Sequence, residues 1–229
     1  MDAVFMNADL FRSKNERVFD LLKARIIRGE LKPDEPLVID TLAAQLGVSA
    51  IPIREALRQL EANGFVTIAP YVGARVAPLE AASIREVFET LEALETVSAR
   101  AACERATDNE LDSLAQGISA MRGLIDNPDT WSAHNKALHQ TLCQIAGMRL
   151  VEKMLSVALD HWDRLRCAYL EDVFAQRIEN GQAEHERMLD ALRRRDADGL
   201  TQGIQAHNRA ALNAYIAHLE RKGLLETPT

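Results

Sequence analysis

Asn135 and His139 stand four residues apart, in line with Trp131, Leu138 and Leu142, so a helix through this stretch projects both from one apolar face. His185 falls on the stripe Phe174, Ile178, His185, Met188, Leu189 and Leu192, and His207 on Leu200, Ile204, His207, Ala211 and Tyr215. A lone histidine on an inner helix face is ordinarily a hydrogen-bonded core residue. Three imidazoles on three helices, joined by an amide oxygen, make a different set. Nitrogen donors with an oxygen suit a first-row divalent ion, and coordination removes the cost of burying unpaired ring nitrogens. His134, His161 and His218 lie outside the pattern, and His134 faces away from Asn135 and His139.

A second stretch offers guanidinium chemistry. In "LGVSAIPIREALRQLEANGF", Leu46 to Phe65, the apolar Ile53, Ala56, Leu57 and Leu60 fall at the spacing that presses one side of a helix into a core. Arg54 and Arg58, four apart, share the outward side. A guanidinium can fork two donors to guanine O6 and N7, whereas contacts to phosphate only fix register. No glycine-rich phosphate loop, GxSxG or HExxH occurs in the chain. Cys103, Cys143 and Cys167 are odd in number and without CxxC spacing, which argues for small buried hydrophobes rather than disulfides or a thiolate metal site.

Both sets need helices to position them. The chain has 229 residues, 47% of them apolar and only 5% aromatic, which suits a helical protein of one or two domains. A helix through Val18, Leu21, Leu22, Arg25 and Ile26 should stop near "RGELKP"; Asp40 is a plausible cap for "TLAAQLGV", which Gly47 ends, and Ser49 for the helix carrying the arginines, with Pro52 in its first turn. "FVTIAP" and "ARVAP" read as two short strands around "YVG", with Gly73 at the turn. Three helices and a hairpin make a winged helix-turn-helix. From Ser83 onward six amphipathic stretches follow, at about 83–105, 109–125, 129–146, 149–170, 173–195 and 198–221, joined by short breaks. The fold expected is mainly α: a winged helix-turn-helix over 1–78, then an antiparallel bundle of six to seven helices over 79–229.

The net charge of −7 is unevenly spread. Residues 1–78 carry ten basic and ten acidic side chains, and 79–229 carry 17 and 24, so the whole excess lies in the bundle. Such asymmetry points to two domains with different partners, although the leading segment lacks the strongly basic signature usual in DNA binders. With no long uncharged apolar run and an acidic N-terminal "MDAVFMNADL", the chain is expected to be cytoplasmic, without a leader or membrane span.

The runs "IIRGELKPDEPL", "LAAQLGVSAIPIREALRQLEANGFV" and "YVGARV" resemble the DNA-binding domain of GntR-type bacterial transcription regulators of the FadR-like subgroup. "IREVFETLEALETVSARAACERATDNELDSL", "NKALHQTL", "AEHERMLDALRRRDADG" and "QAHNRAAL" are similar to the FCD effector domain that follows it in many such regulators. The resemblance implies that the helix from Ser49 enters the major groove, with Ser49, Ala50, Ile51, Arg54 and Arg58 facing DNA. It brings the wing, with Gly73 and Arg75, to the neighbouring minor groove. It also implies that Asn135, His139, His185 and His207 hold a divalent transition metal, zinc, nickel or manganese, beside a pocket for a small carboxylate effector. His161 is a further candidate for the pocket wall, although a packing role is the simpler reading.

Three departures from the family pattern stand out. Ala50 and Ile51 replace an arginine and a threonine or serine, so contacts at the start of the reading helix are fewer or apolar. Asn135 takes a place often held by aspartate, leaving the site one charge more positive, and Leu91 takes that of a pocket arginine in the first bundle helix. The function expected is a ligand-responsive repressor, a homodimer on a palindromic double-stranded operator, and not an enzyme. A metal-dependent hydrolase built on the histidines is the rival, with Glu184 and Glu186 expected to point off the face of His185.

Overall fold

The computed structural model describes residues 13–225; the N-terminal stretch read for a leader lies outside them. The chain divides into two compact units, Met1–Glu80 and Ala81–Thr229.

In the first unit, helix α1 (Lys14–Ile27) opens on a reciprocal cap. Glu16 N–H donates to Ser13 Oγ at 3.2 Å, and Ser13 N–H donates to Glu16 Oε2 at 2.7 Å. The helix buries Val18, Leu22, Ile26 and Ile27. Helix α2 (Ile39–Leu46) closes on Gly47, whose φ of 64° is the left-handed value that a Cβ would resist. Asp40 is not its cap; it sits in the first turn, where its charge complements the helix dipole, and Val38 precedes the helix. Helix α3 (Ala50–Ala62) follows Ser49, whose side chain makes no capping hydrogen bond. It buries Pro52, Ile53, Ala56, Leu57 and Leu60 and packs on α1 and α2. This is the apolar side anticipated from spacing, and it leaves the arginines outside.

Strands β2 (Val66–Ala69) and β3 (Gly73–Val76) form the hairpin, and a third strand, β1 (Pro36–Leu37), pairs antiparallel with β3 to give the order β1-β3-β2. At two residues beginning with proline, β1 is too short to show an alternating pattern, and proline is tolerated because the strand lies at an edge.

In the second unit a 3₁₀ turn (Ala81–Ser83) leads into α4 (Ile84–Arg105), α5 (Asp108–Arg122), α6 (Pro128–Ile145), α7 (Arg149–Leu165), α8 (Glu171–Arg193) and α9 (Ala197–Arg221). Caps fix several starts: Thr107 and Glu110 cap α5 reciprocally, Asn127 precedes Pro128 at the head of α6, and Asp196 accepts from Gly199 N–H at 2.8 Å. Helix α4 packs on α9, α7 and α6, and α8 on α9 and α5. Small residues on α4 (Ala99, Ala102, Cys103) let it approach the cluster of Leu111, Leu114, Leu192, Leu200 and Ile204. Leu200 and Ile204 have no exposed surface, and each such burial contributes about 1.5–3 kcal/mol.

Helices α7 and α8 are not separated by a loop. The backbone stays helical through a π turn, Arg166–Leu170, and bends at Leu170 (φ −121°, ψ 8°). Among the described residues no helix is long and apolar enough to cross a membrane.

Candidate functional site

Three helices of the second unit deliver the histidines. Helix α6 supplies Asn135 and His139 one turn apart, α8 supplies His185, and α9 supplies His207. Ring centroids lie 5.4 Å apart for His139–His185, 5.3 Å for His139–His207 and 4.8 Å for His185–His207. One ring nitrogen from each falls within 4.8 Å of the others. His185 has no exposed surface, and among the described residues neither of its ring nitrogens has a hydrogen-bond partner; nor has the buried Asn135 Oδ1.

Two carboxylates complete the cluster. Glu95, on the α4 stripe with Phe88 and Leu91, is buried. Its Oε1 lies 2.5 Å from His139 Nδ1, and its Oε2 accepts from Asn208 Nδ2 at 2.7 Å. Burial alone would push the Glu95 carboxyl up, but His139, by its charge and its contact, together with the Asn208 amide and the His207 charge, holds the group below its ordinary value. Burial would likewise push His139 down, and Glu95 reverses this and raises it. Glu184 Oε2 accepts from His207 Nδ1 at 2.7 Å and from the Arg177 guanidinium at 2.7 Å. Burial works against the Glu184 charge, yet His207 and Arg177 lower its pKa. His207 is itself lowered, because burial outweighs Glu184, and His185 is driven well below the ordinary value by burial, with His207, His139 and Arg177 all opposing a further positive charge.

The donor set fits a divalent ion. Nδ1 of His139 and of His207 already faces a carboxylate, which fixes the ring and leaves Nε2 as the ligand atom. On a shared ion with bonds of about 2.0–2.1 Å the nitrogens stand about 3–4 Å apart. The observed span, up to 4.8 Å, is somewhat wider. The orphaned His185 nitrogens and Asn135 oxygen are the atoms such an ion would satisfy.

Beside the cluster lies a cavity of ≈ 480 Å³, counting its open mouth. Glu95, Asn135, His139, Arg177, His207 and Asn208 form its polar side, and Leu91 lines it too. His161 is not among its lining residues, whereas Leu159 and Trp162, on the same helix, are. His134 is exposed and His218 buried, both outside the cluster. Glu184 does not point off the site as expected. It turns toward α9 and meets His207, while Glu186 does turn away, to Arg122 and Gln182. Spacing alone did not single out Glu95 or Arg177; the signal was there for Glu95, whose position continues the apolar stripe of α4.

On the first unit, Arg54 is exposed and makes no hydrogen bond or ion pair with any described residue. Arg58, 71% exposed, pairs with Glu55 at 3.2 Å. Ser49 is exposed, Ala50 half-buried, and Ile51 69% exposed at the head of the same helix. Gly73 sits at φ 93° at the start of β3. Arg75 donates to the Asp34 carbonyl at 2.8 Å, which braces the wing against the segment before β1. Tyr71 and Val72, at the hairpin tip, are fully and largely exposed and were not singled out from sequence.

A winged helix-turn-helix with a free guanidinium on its third helix, followed by a helical unit enclosing a polar pocket, is the build of a DNA-binding transcription regulator. The chain belongs to the GntR family of bacterial regulatory proteins, matching that family over residues 14–76 and the FCD domain over 86–210. It is similar to the HTH-type transcriptional repressor RspR of Escherichia coli K12, 26% identical over 195 residues that cover 84% of this chain and 85% of that protein. The Nta operon transcriptional regulator of Aminobacter aminovorans is 31% identical over 167 residues, 72% of this chain and 78% of that one. Among solved structures, E. coli McbR/YncC shares the fold with a TM-score of 0.73 at 20% identity, over 93% of this chain and all of that one. RspR and the Nta operon protein are transcription regulators, as is the family, and the protein is not an enzyme.

Proposed function

We propose that the protein is a metal-dependent, ligand-responsive repressor. The unit up to about Pro78 reads DNA, and the helical unit senses the effector and holds two copies together. The observation that carries the metal reading is His185: a fully buried imidazole with two unpaired nitrogens, facing two other imidazoles, is costly unless a cation satisfies it. His139, His185, His207 and Asn135 would hold zinc, nickel or manganese. Bound there, the ion supplies positive charge and an open position toward an anionic ligand. Glu95 and Glu184 orient the imidazoles, so neither is left as the general base a hydrolase would need.

Regulation then requires that the effector bind one arrangement of the helical unit better than another. A homodimer would place two α3 helices about 34 Å apart on the half-sites of a palindrome. Leu150 and Met154, exposed by 72% and 50% one turn apart on α7, supply apolar surface for that association.

The test has two parts. Metal analysis of purified protein, with melting recorded before and after chelation, should give one ion per chain and a lower melting temperature once it is removed. Absence of metal together with indifference to chelator would sink the metal centre. Arg54→Ala should nearly abolish specific gel-shift binding to the operator at fixed salt, a loss of about 1–3 kcal/mol, without changing fold or assembly, and retained affinity would refute the role of Arg54.

A further inference from the structure

The chain holds six Phe, two Trp and three Tyr, yet both Trp, two Phe and one Tyr line this single pocket. Trp131 meets Phe174 edge to face at 5.8 Å and 60°, Trp162 meets Phe174 at 5.7 Å and 65°, and Phe88 meets Tyr215 at 5.6 Å and 60°. Trp131 also stacks on His185 at 5.7 Å and 16°. Rings packed at such angles present faces and edges to whatever fills the space between them, and a further ring extends the pattern. A core alone does not need this concentration, since the neighbouring cluster under α5 is built from Leu, Ile and Ala with Cys103 and Met188, and without an aromatic ring.

Arg177 is the single cation among the residues lining the pocket, apart from the histidines. Its side chain is only 14% exposed, and it makes one side-chain hydrogen bond among the described residues, to Glu184. A guanidinium carries five donors in a planar fork that matches a carboxylate, so most of the fork is unspent. Trp131 Nε1, buried and without a partner, adds an indole N–H on a side chain that lines the same cavity. Gly181, one turn from Arg177, keeps that indole in place, because a Cβ there would come within 3.2 Å of Trp131 Cη2.

We infer that the effector is an aryl carboxylate, its carboxylate paired with Arg177 and its ring lying among Phe88, Trp131, Trp162, Phe174 and Tyr215. This deepens, and rests on, the reading of the pocket as the effector site. Arg177 on α8 supplies the charge at a pocket where Leu91 of α4 presents only hydrocarbon.

The experiment is calorimetric titration of zinc-loaded, full-length protein with benzoate, benzamide, cyclohexanecarboxylate and acetate. Ring contacts should favour benzoate over cyclohexanecarboxylate by about two- to tenfold, and over acetate by more. Arg177→Gln should weaken benzoate by about ten- to a hundredfold while leaving benzamide unchanged, and Arg177→Lys should restore part of the loss. Phe88→Leu, which spares the charge, should erase the preference for benzoate over cyclohexanecarboxylate.

No binding of benzoate, equal binding of the saturated acid, or full benzoate affinity in Arg177→Gln overturns the inference. Zinc titration of the same samples separates the two readings. Zinc uptake without the benzoate pattern removes the aryl carboxylate alone, whereas the benzoate pattern in protein that takes no zinc supports it and removes the metal.

Discussion

Glu95 on α4 places its carboxylate 2.5 Å from Nδ1 of His139 on α6. A buried anion thus backs a ring whose other nitrogen is left for a ligand. Glu184 repeats the arrangement behind His207 at 2.7 Å. Replacing such an outer carboxylate should lower metal affinity about 10- to 100-fold. Glu95→Gln and Glu184→Gln are expected to show this in a chelator competition titration; wild-type affinity in both would mean that the carboxylates serve packing alone.

Metal-free protein should lose stability on acidification. His185 and His207 have lowered values in the folded state, so as pH falls through the ordinary 6.5 the unfolded chain takes up protons that the folded one refuses. His139 acts oppositely: its contribution is complete below 6.5 and is lost as pH rises through its raised folded value. That of Glu95 is present above 4.5 and is lost only as pH falls through its lowered value. His185, driven well below its ordinary value, sets the sign, so the melting temperature of chelated protein should drop between about pH 7.5 and about pH 5.5. His185→Gln should flatten the dependence, and a melting temperature that rises on acidification would contradict this balance.

Gly181→Ala tests how tightly the aromatic wall is set. The added methyl would stand 3.2 Å from Trp131, which Phe174 and His185 hold in place. Overpacking of this kind costs about 1–3 kcal/mol. A lower urea midpoint at unchanged slope is the expected outcome; no shift would show that the indole has room to move.

The two arginines of α3 should separate in their salt dependence. Arg54 has no partner among the described residues and faces outward, so Arg54→Ala should relax preference at one base position and cost about 1–3 kcal/mol. Arg58, already paired with Glu55, is suited to a phosphate, and Arg58→Ala should weaken all sequences alike and reduce the slope of log K against log salt by about one. Equal slopes for wild type and Arg58→Ala would remove that contact.

Much of this was legible in the sequence, for physical reasons that differ by element. The helices announced themselves because Ile53, Ala56, Leu57 and Leu60 repeat at the helical period, and Gly47 needs a backbone angle that ends α2. The imidazoles were visible because each interrupts an apolar stripe without changing its phase. Glu95 and Arg177 do the same, yet a charged side chain in a stripe reads as a solvated break until its partner is known. Those partners, His139 and Glu184, lie on another helix or two turns away. Strand β1 gave no pattern because two residues cannot alternate, and the junction of α7 and α8 looked like a loop because a π turn disturbs the period locally.

That π turn also sets an angle. Each residue of an α-helix advances the chain by about 100° around the axis, so the length of Arg166–Leu170 decides which way α8 is rotated when it reaches the bundle. Shortening it by one residue would swing Arg177, Gly181, Glu184 and His185 together toward the wrong neighbours while every one of them remained in the chain.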